Sequence, residues 1–253
     1  MLQTGLVSIT FRKLSPERIV ELAAAAGLDA IEWGGDVHVL PGDVKRAQEV
    51  AELTRQAGLK VASYGSYYRV GHEEQMPIEF VLECAKALKA PTVRLWAGRQ
   101  GSEAADRNYR DRIVRESRRV ADWAADLGIT VGYEFHGNTL TDTNVSAKQL
   151  LEAVAHDNVK TYWQPTTTRD VEYCLAGLES LLPWLCNVHV FHWDPATRQR
   201  RPLAEGEAVW KQYLQRIRST GRDHFIMLEF VRDDSPEAFL EDAATLRRWL
   251  DEL

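Results

Sequence analysis

Short apolar runs alternate with amphipathic stretches of helical period along the whole 253-residue chain. Apolar runs closed by turn residues read as buried strands, and apolar positions spaced three and four apart read as helices. The first pair is a strand over 5–11, "GLVSITF", and a helix over 15–27, "SPERIVELAAAAG". Ser15 supplies the N-cap, Pro16 the first helical position and Gly27 the C-cap. The same alternation predicts strands over 29–34, 59–68, 91–98 and 129–136, with helices over 43–57, 77–89 and 104–127 between them. It continues with strands over 159–165, 185–193 and 223–230 and helices over 146–156, 169–182, 207–221 and 235–253. Ser235-Pro236-Glu237 opens the last helix as Ser15-Pro16-Glu17 opens the first.

Eight strand–helix units call for a parallel sheet covered by helices. Closing that sheet at eight strands gives an α/β fold, the (β/α)8 TIM barrel, expected here as a single domain over 1–253. Such barrels commonly run to about 250 residues and carry their sites at the C-terminal ends of the strands. An open doubly wound sheet is the alternative. It usually has a glycine-rich phosphate turn after its first strand, whereas "SITFRKLSP" stands there without a glycine.

Composition narrows the function classes. Apolar residues make up 45% and charged residues 27% of the chain, an ordinary globular balance. A formal net charge of −6 argues against a nucleic-acid partner, and no apolar run is long enough for a membrane span. The start, "MLQTGLVSITF", lacks a charged n-region and a cleavage site. Cys84, Cys174 and Cys186 form no CxxC pair, so reduced thiols and a cytoplasmic location are expected.

The barrel points to its strand ends for chemistry. Glu32 lies near the end of the second strand, Glu134 and His136 the fifth, Gln164 the sixth, His189 the seventh and Glu229 the eighth. Strand interiors otherwise read as apolar. Buried carboxylates are costly unless paired with a cation or a metal. Glu134, His189 and Glu229, with Gln164 as a weaker fourth ligand, therefore suggest a divalent-metal site. Mixed oxygen and nitrogen donors suit Mn2+, Mg2+, Co2+ or Zn2+ better than a thiolate-seeking ion. The competing explanation satisfies each residue separately by hydrogen bonds or salt bridges at the rim.

Together "DAIEWGGDVHV", "GYEFHGN", "NVHVFHW" and "IMLEF" resemble the sugar-phosphate isomerase/epimerase superfamily, the xylose-isomerase-like barrels. The resemblance covers essentially the whole chain. It implies one divalent metal, Mn2+ above the others, held by Glu134, Gln164, His189 and Glu229. Gln164 departs from the aspartate usual there, and Thr167 stands where a substrate-binding histidine often follows. The resemblance also implies that Glu134 and Glu229 act as the catalytic pair of a metal-dependent sugar isomerase or epimerase. Proton abstraction through a metal-stabilised enediolate on a keto-sugar or related polyol is the reaction it suggests. A lyase that dehydrates a keto-inositol-like polyol shares the first step. An apurinic-endonuclease-like hydrolase and a non-catalytic sugar-binding barrel are further alternatives. Glu32, His136, Tyr67, Trp96 and Arg94 are the candidates for contacting a small-molecule carbohydrate. The basic loop "ATRQRRP" (196–202) reads mainly as a solvated loop. Family members often dimerise or tetramerise, so a homo-oligomer is compatible with the sequence.

Overall fold

In the computed structural model, which describes residues 1–72 and 76–253, eight parallel strands close into a barrel in sequence order. The strands are β1 (Leu2–Val7), β2 (Ala30–Gly34), β3 (Lys60–Arg69), β4 (Thr92–Trp96), β5 (Thr130–Tyr133), β6 (Val159–Trp163), β7 (Leu185–Val190) and β8 (His224–Leu228). The helices between and after them are α1 (Pro16–Ala25), α2 (Val44–Gln56), α3 (Ile78–Ala87), α4 (Arg107–Asp126), α5 (Asn144–Val154), α6 (Val171–Leu181), α7 (Glu207–Arg218) and α8 (Pro236–Asp251). The expected single TIM barrel is the fold found. Among the described residues no helix is long and apolar enough to cross a membrane.

Local signals set the boundaries. The Ser15 and Ser235 side chains accept from the Arg18 and Ala238 N–H groups, as the paired Ser-Pro-Glu openings predict. Gly27 adopts a left-handed conformation (φ 66°) after α1. The first strand differs from its expected span. It runs over Leu2–Val7 and Ser8–Phe11 is a short 3-10 helix. Register explains the shift: Leu2 to Leu6 pair with His224 to Leu228, so β1 needs its polar Gln3 and Thr4. Ser8 then turns the chain, its hydroxyl accepting from Gly34 N–H and lying 2.9 Å from His38 Nδ1. β5 stops at Tyr133 and β7 at Val190, so Glu134 and His136 start a loop rather than end a strand.

The main apolar core lies between barrel and helices, where Trp163, Trp210 and Tyr213 meet edge to face. Inside the barrel a smaller apolar group includes Val7, Ala30, Ala62, Tyr162 and Met227. Polar side chains share that interior, contrary to the expectation of apolar strand interiors. Arg94 sits in mid-β4 and Asn187 in mid-β7, both buried. They are accommodated because they have partners there: Asn187 donates to the Tyr162 hydroxyl (3.2 Å), and Arg94 meets two carboxylates.

Candidate metal centre and substrate cavity

A cavity of about 560 Å³ opens among the loops after the strands. Glu134, Gln164 and Glu229 line it directly behind β5, β6 and β8, and His189 lies buried at its base in β7. Backbone bonds fix the two glutamates. Glu134 N–H donates to Leu95 O (3.0 Å) and Glu229 N–H to Val190 O (2.9 Å). The chain leaves β8 through Phe230, whose φ of 56° is rare for an aromatic residue. Phe230 is held there by its N–H bond to Thr10 Oγ1 and by Trp193 and Arg200 against its ring.

Ligating atoms of Glu134, His189 and Glu229 all lie within 4.8 Å of one another, the one such group among the described residues. His189 Nδ1 faces Gln164 Oε1 at 3.1 Å, Glu229 at 3.5 Å and Glu134 at 3.8 Å. Its other nitrogen, Nε2, faces Glu32 Oε1 at 3.5 Å. Glu32 also accepts from Ser63 Oγ at 2.6 Å. Gly65 makes room for it, since a Cβ there would come within 2.8 Å of Glu32 Oε1. Arg94 Nη1 bridges Glu134 (3.0 Å) and Glu32 (3.6 Å). The Trp96 indole N–H donates to Glu134 as well.

The electrostatics favour a cation. Glu32, Glu134 and Glu229 are each at most 3% exposed, and Arg94 is the one buried guanidinium among them. With His189 neutral, two negative charges are left over, which matches a divalent ion. Burial opposes ionisation of Glu32, but Arg94, His189 and the Ser63 hydroxyl outweigh it and hold its carboxyl at about 2. Burial pushes Glu229 up to about 7; His189 and Arg94 pull against this, while Glu134 and Glu32 add to it. Burial also disfavours the imidazolium of His189, yet the surrounding carboxylates, Glu229 foremost, raise its pKa above the ordinary value. A pocket whose carboxylates favour positive charge on a fully buried imidazole also attracts metal cations. The oxygen and nitrogen donors therefore fit a divalent ion, with His189 Nδ1 turned toward Gln164, Glu229 and Glu134 and Nε2 toward Glu32.

The structure brings the four expected ligands together and separates the other candidates. His136, Trp96, Tyr67 and Arg94 line the cavity, with His136 stacked on Trp96 at 4.7 Å between ring centres. Arg94 is committed to carboxylates, so it is not a spare cation for substrate. Glu32, expected to contact substrate, lies beneath the cavity with no exposed surface. Trp33, near the end of β2, packs outside the barrel and donates to Thr54 Oγ1. Arg12, Asp142 and Arg198 line the cavity without having been singled out. Arg12 follows the shortened β1, pairs with Asp36 and donates to the Tyr67 hydroxyl at 2.7 Å. The only signal for Arg198 was the basic character of its loop. His72, after β3, lies outside this cavity and 3.2 Å from the Tyr109 hydroxyl.

The family described as xylose isomerase-like TIM barrel matches residues 20–252. A 3-dehydroshikimate dehydratase of Bacillus anthracis is 25% identical over 258 residues, covering 89% of this chain and 90% of that protein. An L-ribulose 3-epimerase structure superposes with a TM-score of 0.75 at 17% identity, covering 100% of this chain and 95% of the other. A xylose isomerase-like barrel from Mycobacterium smegmatis in complex with magnesium gives 0.74 at 16%, covering 99% and 96%. At these identities the two structures speak for the fold.

Proposed function

Since the chain belongs to the xylose isomerase-like TIM barrel family and is an enzyme of that group, we propose that it is a divalent-metal-dependent isomerase or epimerase of a keto-sugar or related polyol. The observation that carries this is the convergence of two buried carboxylates, Glu134 and Glu229, with His189 at the base of one cavity. Glu134, Gln164, His189 and Glu229 would hold the metal. Bound there, a divalent cation supplies Lewis acidity that favours negative charge on a substrate oxygen.

The protein's own groups supply the proton chemistry and the positioning. One glutamate takes the proton from the carbon beside the carbonyl and the other group of the pair returns one. Return to the opposite face inverts that carbon; return to the neighbouring carbon isomerises the sugar. Arg94 and the Trp96 indole hold the Glu134 carboxylate in one orientation, which a base facing a fixed C–H requires. Glu32 orients His189 and keeps Nδ1 directed at the cavity. The Trp96–His136 stack and Tyr67 offer aromatic walls to the C–H face of a ring.

A second function is favoured by the 25% identical dehydratase. After the same proton removal, a hydroxyl on the next carbon leaves as water and a double bond forms. Incubation of the Mn2+-loaded protein with ketoses and keto-inositols in deuterated water tests both. Deuterium beside the carbonyl, in a product of unchanged composition and altered stereochemistry or carbonyl position, supports the isomerase or epimerase. A product lighter by one water supports the lyase. No exchange and no water loss across the panel sinks the proton-abstraction proposal.

A further inference from the structure

Three arginines line the cavity, and two are already paired: Arg12 with Asp36, Arg94 with Glu134 and Glu32. Arg198 has no acidic partner within 4 Å among the described residues. Its placement is built. The loop after β7 folds back as a hairpin, closed by the Trp193–Arg200 bridge and by Asp194 N–H to Gln199 O (2.8 Å). The Asp194 carboxylate caps the turn, accepting from the Ala196 and Thr197 N–H groups and the Thr197 hydroxyl. At the other end Arg200 ties the hairpin to the β8 loop, through Asp234, Val231 O (3.3 Å) and the Phe230 ring.

Arg198 stands in this hairpin with φ at 58°, a conformation in which glycine or asparagine costs least. A merely solvated turn gains nothing from arginine at that position. Across the cavity lining, Thr166, Thr167 and Thr168 follow β6 with hydroxyls that make no hydrogen bond among the described residues. An unpaired guanidinium and unengaged hydroxyls around one cavity are complementary to an oxyanion.

We propose that Arg198 is a specificity residue that recognises an anionic group, a carboxylate or a phosphate, on a substrate whose reacting carbon lies over Glu134 and Glu229. The proposal rests on the function given above for its account of the reacting end. The anion lies toward the hairpin, away from the carboxylate-rich base, where like charge would repel it. Substrates of the site are thus sugar acids, polyol acids or sugar phosphates rather than neutral sugars.

The test is calorimetric binding, in matched Mg2+, of three hexoses that differ only at C6: D-glucose, D-glucuronate and D-glucose 6-phosphate. The unaltered protein should bind one of the anions at least tenfold more tightly than glucose, and which one assigns carboxylate or phosphate. Arg198→Asn tolerates the left-handed backbone, so the variant keeps its melting temperature; it should lose the tenfold margin and keep its glucose affinity. Arg198→Lys should retain part of the margin. Equal affinity of the unaltered protein for all three hexoses overturns the proposal, as does a margin that survives Arg198→Asn. Binding is read without turnover, so a failed deuterium exchange would remove the proposed reaction and leave this result standing.

Discussion

The inside of the barrel and the layer between barrel and helices are built on opposite principles. The outer layer is continuous apolar packing, with aromatic edges and faces interlocked around Trp163, Trp210 and Tyr213. The inside has a small apolar base and, above it, Glu32, Arg94, His189, Glu134 and Glu229 within a few ångströms of one another. Burial in the outer layer lowers the free energy of folding directly. Burial in the interior raises it unless each charge meets its complement. The molecule therefore draws its stability from one shell and places its chemistry in the other.

Substitutions that separate the shells test this division most sharply. Glu134→Gln and Glu229→Gln should each lower deuterium exchange by about 10²–10⁴-fold. Glu229→Gln should not lower the melting temperature of the metal-free protein, because it removes a like charge from the buried cluster, whereas Glu134→Gln also gives up the carboxylate that faces Arg94 at 3.0 Å and should lower it. An exchange rate equal to that of the unaltered protein would remove the residue from the catalytic pair. Trp210→Ala should do the reverse. It leaves a void between α7 and β6 and costs roughly 3–5 kcal/mol in urea unfolding, while the folded protein still binds Mn2+.

A smaller effect probes the link from Glu32 to His189. Glu32→Gln should weaken Mn2+ binding about 10–100-fold in a titration, since a neutral amide then faces His189 Nε2 in place of a carboxylate. Unchanged affinity would make Glu32 a partner of Arg94 and Ser63 alone. The smallest concerns Asp242, a carboxylate in the outer shell that accepts Leu203 N–H at 2.8 Å. Burial pushes its pKa up to about 6 from an ordinary 3.8. Between those values the folded state holds more protons than the unfolded one, so its contribution is fully favourable below pH 3.8 and is lost as pH rises through 6. Asp242→Asn keeps the acceptor and should add about 1–2 kcal/mol at pH 8, with no gain near pH 3. A gain that is independent of pH would place its origin elsewhere.

Most of the architecture was legible in the sequence because strand and helix differ in period and the helices carry explicit caps, Ser15 and Ser235 among them. The four candidate ligands were legible because the barrel turns strand ends into neighbours. Parity along one strand, however, says nothing about which charges meet across the barrel. Arg94 thus read as a substrate contact when it bridges two carboxylates, and Glu32 read as a cavity residue when it lies under His189. Arg198 was hidden for another reason: its place depends on a hairpin closed by backbone bonds and by the Asp194 cap, and neither has a hydrophobic period to reveal it.

The closing seam of the sheet joins Leu2–Leu6 to His224–Leu228, partners more than 200 residues apart. Pairings of such separation form late, after the loop entropy between them has been met by other contacts. During synthesis the first strand waits with an open edge until β8, more than 200 residues later, has emerged, and Glu229 follows directly on that same strand. Assembly of the candidate ligand set and completion of the cylinder are thus a single event, and a ribosome-bound intermediate short of β8 has neither.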